Sequence, residues 1–271
     1  MRTLNSDSTQ LNDSHKTYIW WKFLCVMAII NMTAWVYVFI NYEAQSTAFY
    51  IQATLSGIYV LVCAFRSLYP RIDLERYCLH DSPLSSVALG RTCATIAEIC
   101  FSAQLAIIVY GLSEALNSTL ILYISYSIVP IIVIAQLFCW HATLTLNHFW
   151  HSMEELAWVI MLALIAGCFI AGYFLLPTGY QVLMSIGFIC CVLSMWLMLF
   201  VDIPMYLSRT HERKEKGHNL LNIKEGMQDA VVRRVHTNAW SIWKKEVLWI
   251  TSYFTVGVWL SIAMIVIRFH S

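Results

Sequence analysis

Seven long runs of apolar residues, divided by short polar connections, organise this chain. They extend from Tyr18 to Tyr42, Thr47 to Leu68, Val87 to Leu112, Ser118 to Trp140, Leu156 to Leu176, Val182 to Met205 and Val247 to Ile267. An α-helix needs about 20 mainly apolar residues to cross the hydrocarbon core of a bilayer, so each run is long enough. Strands of a membrane barrel would alternate polar and apolar positions over about ten residues. The stretch from Ile128 to Leu137 shows no such alternation. The pattern predicts an all-α integral membrane protein, a bundle of about seven transmembrane helices.

Polar positions then divide the chain further. Residues 1–17 are rich in Ser, Asn, Asp and Thr and read as a disordered cytoplasmic tail, with 18–271 as a single transmembrane domain. The first apolar run is too long for a signal-peptide core and has no small-residue cleavage pattern, which predicts a retained span. Within the long connection, 206–245, Asn222 followed by Glu225 resembles a capping box. It would start an amphipathic helix carrying Ile223, Met227, Ala230, Val231 and Arg234 on recurring positions. Trp240, Trp243, Lys244 and Lys245 beyond it read as an aromatic and basic anchor at headgroup level. Residues 223–245 are thus the expected contact with anionic lipid, or an interfacial helix that merely joins two spans.

Composition supports the membrane reading: 59% hydrophobic residues, 12% charged and a mean hydropathy of +0.63 lie outside the range of soluble domains. The net charge of +1 conceals an asymmetry. Arg2, Lys16 and Lys22 precede or open the first span, and Arg66, Arg71, Arg76 and Arg91 surround the second connection. The sixth holds Arg209, Arg213, Lys214, Lys216, Lys224, Arg233, Arg234, Lys244 and Lys245, whereas the first, third and fifth hold none. Cytoplasmic loops carry the Lys and Arg excess, which places the N-terminus inside and the C-terminus outside. The membrane would be a bacterial inner membrane or a eukaryotic plasma or internal membrane. Basic residues beside apolar spans do not form the basic face of a nucleic-acid binder.

Candidate chemistry is sparse. An ionisable group at bilayer depth costs about 2.5 to 3.5 kcal/mol on insertion scales, so each needs a partner or a purpose. Glu98 lies within the third span, and Arg91, Thr95 and Ser102 share its helix face. Either Glu98 is a proton-carrying or substrate-binding group or it forms a structural pair with Arg91. His141, His148 and Glu155 recur every seven residues, with His151 nearby, so a continuous helix would gather three imidazoles and a carboxylate. Such a set suits a transition metal, zinc or non-haem iron. The competing reading makes Ser152, Met153, Glu154 and Glu155 a capping box that starts the fifth helix. Asp202 stands two residues before Pro204, where a kink is expected, and Glu246 opens the last span.

Asp81, Arg91, Glu98, His141, His148, Glu154, Glu155, Asp202 and Glu246 all fall in the cytoplasmic half of this scheme, as do His80, His211, His218 and His236. The nine cysteines have no CxxC spacing and read as packing residues. Two sequons, at Asn31 and Asn117, lie within or against the membrane, so neither is expected to carry glycan. The last span has no lysine for a retinal Schiff base, the N-terminus is on the wrong side for a G-protein-coupled receptor, and no G-x-S-x-G, H-E-x-x-H or GxGxxG motif occurs. What remains is a membrane-embedded enzyme acting on a lipid or apolar substrate, with Glu98, Glu154, Glu155, Asp202 and Arg91 as acid–base groups and His141, His148 and His151 as metal ligands. A transporter using Glu98 and Asp202, or a non-catalytic accessory subunit, are the alternatives.

Overall fold

The computed structural model describes residues 2–42, 46–215 and 220–269, with side chains from Asp13 onward. Seven helical stretches are long and apolar enough to cross a membrane: Asp13–Asn41, Thr47–Leu68, Val87–Ala115, Thr119–Thr145, Phe149–Leu175, Thr178–Glu215 and Val247–Met264. Number and order agree with the apolar runs of the sequence. His218 and Lys216 lie outside the described residues.

The helices are α1 (Arg2–Asn41), α2 (Thr47–Leu68), α3 (Val87–Ala115), α4 (Thr119–Thr145), α5 (Phe149–Leu175), α6 (Gln181–Leu197), α7 (Ile203–Glu215), α8 (Ile223–Val232), α9 (Trp240–Trp243), α10 (Val247–Phe254) and α11 (Val256–Met264). Serines set two of the starts. Ser46 Oγ accepts the Phe49 N–H and Ser118 Oγ accepts the Ile121 N–H, which satisfies amide groups that no helical carbonyl can reach. They pack as two compact units, Met1–Cys100 with Gln228–Val266, and Phe101–Met227 with Ile267–Ser271.

In the first unit the seventh span is broken at Thr255, whose φ of −118° and ψ of −73° divide α10 from α11. Asn31, only 2% exposed, occupies the break. Its Nδ2 donates to the Phe254 carbonyl at 2.8 Å, and Trp259 Nε1 donates to its Oδ1 at 2.9 Å. Trp20 Nε1 to Thr251 Oγ1 (3.0 Å) and Ser261 Oγ to Ser56 Oγ (3.0 Å) join further helices. Lipid tails are as apolar as a protein core, so close packing and such polar pairs carry helix association in a membrane.

The mixed-charge stretch after α2 folds into a small sheet. β1 (Arg71–Ile72) and β2 (Tyr77–Cys78) pair antiparallel, and β3 (Val235–His236) runs parallel to β2. Arg76 adopts a left-handed φ of 60° at the hairpin and is buried. Its Nε donates to Asp229 Oδ2 at 2.8 Å and its Nη1 to the Asp73 carbonyl at 2.7 Å. Arg234 reaches Asp81 Oδ1 at 3.2 Å. These charges therefore staple two connections to each other. Trp243, read from sequence as a headgroup anchor, is instead fully buried against the Trp20 ring at 5.6 Å, and its Nε1 donates to the Thr237 carbonyl.

In the second unit α4 and α5 form an antiparallel pair, with α6 and α7 packed on α5. Close approach depends on Gly187, where an added Cβ would lie 2.7 Å from the Phe169 ring. The helix of the sixth apolar run continues beyond Met205 as α7 to Glu215, through a π-helical turn at Met198–Asp202. Pro204 cannot donate a backbone hydrogen bond and its ring crowds the preceding turn, so the backbone widens by one residue there.

The capping box before α8 is formed as the sequence suggests. Glu225 N–H donates to Asn222 Oδ1 at 2.9 Å and Asn222 N–H to Glu225 Oε2 at 3.3 Å. Gly226 is buried against the Leu144 backbone, and Leu221 N–H donates to the Thr145 carbonyl at 3.2 Å. Ile223, Met227 and Val231 remain exposed on the other side of α8.

Candidate functional site

The turn between α4 and α5 decides which of the candidate histidines meet. Leu146 takes a left-handed φ of 57° and caps α4, Asn147 Oδ1 accepts the Phe149 N–H, and α5 starts there. The continuous helix from His141 to Glu155 is therefore absent, and with it the single stripe of three imidazoles. The alternative capping box is absent too. Ser152 already lies inside α5 and its Oγ donates to the Phe149 carbonyl at 2.6 Å.

Reversing the chain at Leu146 folds the start of α5 back along the end of α4. Cys139, His151 and Glu154 each present a ligand atom, all within 4.8 Å of one another, and all three residues are buried. His151 Nδ1 lies 2.8 Å from Glu154 Oε2. With the carboxylate as acceptor, Nδ1 carries the proton and Nε2 presents its lone pair. That Nε2 is buried and has no hydrogen-bond partner. Tyr206, from α7, stacks on the imidazole at 5.0 Å and 26°, which restrains the ring. Tyr206 is also within electrostatic reach of Glu155, Glu154, Cys139 and the buried Asp202.

His148 stands at the N-cap of α5 with its Nδ1 buried and unpartnered. Burial pushes its imidazole down to about 4, and His151, Arg209 and Arg213 push it the same way. It is a neutral base at physiological pH. His141 turns elsewhere, its ring 4.9 Å from that of Trp150.

Arg91 and Glu98 belong to the first unit. Arg91 Nη2 donates to Glu98 Oε1 at 2.6 Å, and both side chains are buried. Tyr59, Tyr253 and Cys63 lie within electrostatic reach of Glu98. Glu246 occupies the N-cap position of α10 without a capping side-chain hydrogen bond.

His151 and Glu154 are thus joined, with His148, Glu155 and Asp202 around them, while His141 is not. Cys139 and Tyr206 escaped sequence reasoning. Cys139 is one of eight similar cysteines in apolar runs, and only the turn at Leu146 distinguishes it. Asn147 was the legible signal, because Asn after an apolar run is a helix stop. The chain matches no protein-family model, and comparison with curated proteins and with solved structures finds no match either.

Proposed function

We propose that this multi-pass membrane protein is a membrane-embedded enzyme whose centre is a zinc ion held by Cys139, His151 and Glu154, acting on a lipid or other apolar substrate. The observation that carries the reading is the buried thiol, imidazole and carboxylate together with the unpartnered His151 Nε2. Burial without a partner is costly for a nitrogen such as His151 Nε2, and a bound metal would remove that cost. Sulfur, nitrogen and oxygen donors together favour zinc, whereas the common non-haem iron triad needs two histidines. Three protein ligands leave a fourth position open, as in catalytic zinc sites, where the metal supplies an activated water near neutral pH. Glu154 would ligate through the oxygen that does not accept from His151 Nδ1, and Glu155, Asp202 and Tyr206, the first two within electrostatic reach of the third, would exchange protons beside the centre.

In this reading the N-terminus and the basic connections face the cytoplasm, so the centre opens at the cytoplasmic leaflet. The exposed stripe of Ile223, Met227 and Val231 then lies along the headgroup boundary. The transport alternative draws on Glu98, which Arg91 already engages.

Metal analysis of protein purified without chelators and reconstituted with zinc tests the assignment. One equivalent is expected in the wild type, with loss in Cys139→Ser and His151→Ala and retention in His141→Ala. Absence of zinc from the wild type, or full occupancy in Cys139→Ser and His151→Ala, would refute it. Fusion reporters placed after Asn117 and after His236 test the orientation; only the second should report from the cytoplasm.

A further inference from the structure

We infer that the first unit binds a phosphate group, as mono- or diester, between Arg66, Arg71 and the start of α3. Arg66 comes from the last turn of α2; its Nε is buried without a hydrogen-bond partner and its guanidinium carbon lies 5.6 Å from the centre of the Phe254 ring. Arg71 opens β1 and is 4% exposed. Its Nη1 donates to the Ser86 carbonyl and its Nη2 lies 2.8 Å from Asp73 Oδ1, while its Nε is buried and unpartnered. Gly90 makes room for this side chain, since a Cβ there would collide with the guanidinium. The Ser85 hydroxyl, at the entry to α3, is also buried without a partner.

Arginines gather around this point: Asp73 lies within the field of Arg71, Arg66, Arg91 and Arg76. Arg91 is engaged by Glu98 and Arg76 by Asp229. A buried guanidinium nitrogen left without an acceptor is costly, and an anion that supplies one removes that cost. The 29-residue helix α3 adds the positive end of its dipole from the same side. The planar fork of arginine matches phosphate oxygens, and the Ser85 hydroxyl supplies a further donor.

The ends of α2 and α3 also place the site where spans leave the apolar layer. Trp21 donates to the Leu68 carbonyl and packs its ring 4.9 Å from His80, which is in turn 6.1 Å from the Tyr69 ring. Aromatic side chains of this kind gather at headgroup depth, where a phosphodiester is the commonest anion. A free phosphate would satisfy the same donors.

Native mass spectrometry of the full chain in detergent, with phosphatidylglycerol, phosphatidylcholine or inorganic phosphate added, tests the inference. One retained phosphatidylglycerol is expected, weakened about tenfold in Arg66→Gln, the size of one lost charge-assisted hydrogen bond. Arg66 is half-buried and its guanidinium contact is with the Phe254 ring, whereas Arg71 is buried and bonded to Ser86 and Asp73, so Arg66→Gln is the milder variant, and its far-UV circular dichroism is expected to match the wild type. Inorganic phosphate that raises the melting temperature of the wild type and not of Arg66→Gln, without lipid retention, would assign the same site to a free phosphate. Equal retention of both lipids with no effect of Arg66→Gln and none of phosphate would overturn the inference. Loss of phosphatidylglycerol in Lys244→Gln/Lys245→Gln with Arg66→Gln unchanged would do so as well.

Discussion

Replacing Asn31 by Leu keeps the volume of a buried side chain and removes its hydrogen bonds. Two groups then lose their partner at the break in the seventh span, the Phe254 carbonyl and the Trp259 indole N–H. A buried polar group left unsatisfied costs about 1 to 3 kcal/mol in water-soluble proteins. Measured side-chain hydrogen bonds within membranes average about 0.6 kcal/mol, because helices separated in the bilayer find other partners. Asn31 bridges α1 to both halves of a broken helix, and its 2% exposure leaves little room for a substitute such as water. We expect Asn31→Leu to cost about 2 kcal/mol, between the two limits. Reversible unfolding in mixed micelles would measure it, with Trp259→Phe as the second arm of a double-mutant cycle. A change below about 0.5 kcal/mol, or identical costs of Asn31→Leu with and without the indole N–H, would refute the reasoning.

Gly226→Ala places a methyl group against the Leu144 backbone, whose carbonyl carbon lies 2.6 Å from the added Cβ, and should destabilise the docking of α8 by about 1 to 3 kcal/mol. Gly167→Ala, with nothing within 4 Å, should be neutral or stabilising by up to about 1 kcal/mol in the same unfolding assay. Glu98→Gln leaves the Arg91 charge buried and should cost about 3 to 5 kcal/mol, whereas Arg91→Met/Glu98→Leu should recover most of that loss; equal costs for the two would count against a buried pair. His148 is held neutral with a value of about 4, so the unfolded chain takes up a proton between pH 6.5 and 4 that the folded chain refuses. Stability should therefore fall as pH drops through that window, and His148→Gln should flatten the profile there.

The spans were legible because crossing a bilayer demands long uninterrupted apolar runs, and no tertiary contact can substitute for that length. The capping box at Asn222 and Glu225 was legible too, since both partners lie within one turn. Ser152 and Glu155 have the same spacing and form no box, because the turn three residues earlier had already started the helix. His151 and Glu154 sit one turn apart and their pairing could be suspected from sequence.

Their meeting with Cys139 could not. It depends on the left-handed Leu146, which returns α5 along α4, and a single dihedral of that kind leaves no periodic trace in the sequence. The break at Thr255 follows the same logic: it is sustained by Asn31, more than two hundred positions away. Hydrophobic length, read along the chain, determined that this protein lives in a membrane. Which polar residues share a site was decided by the turns and helix contacts that fold separate stretches together.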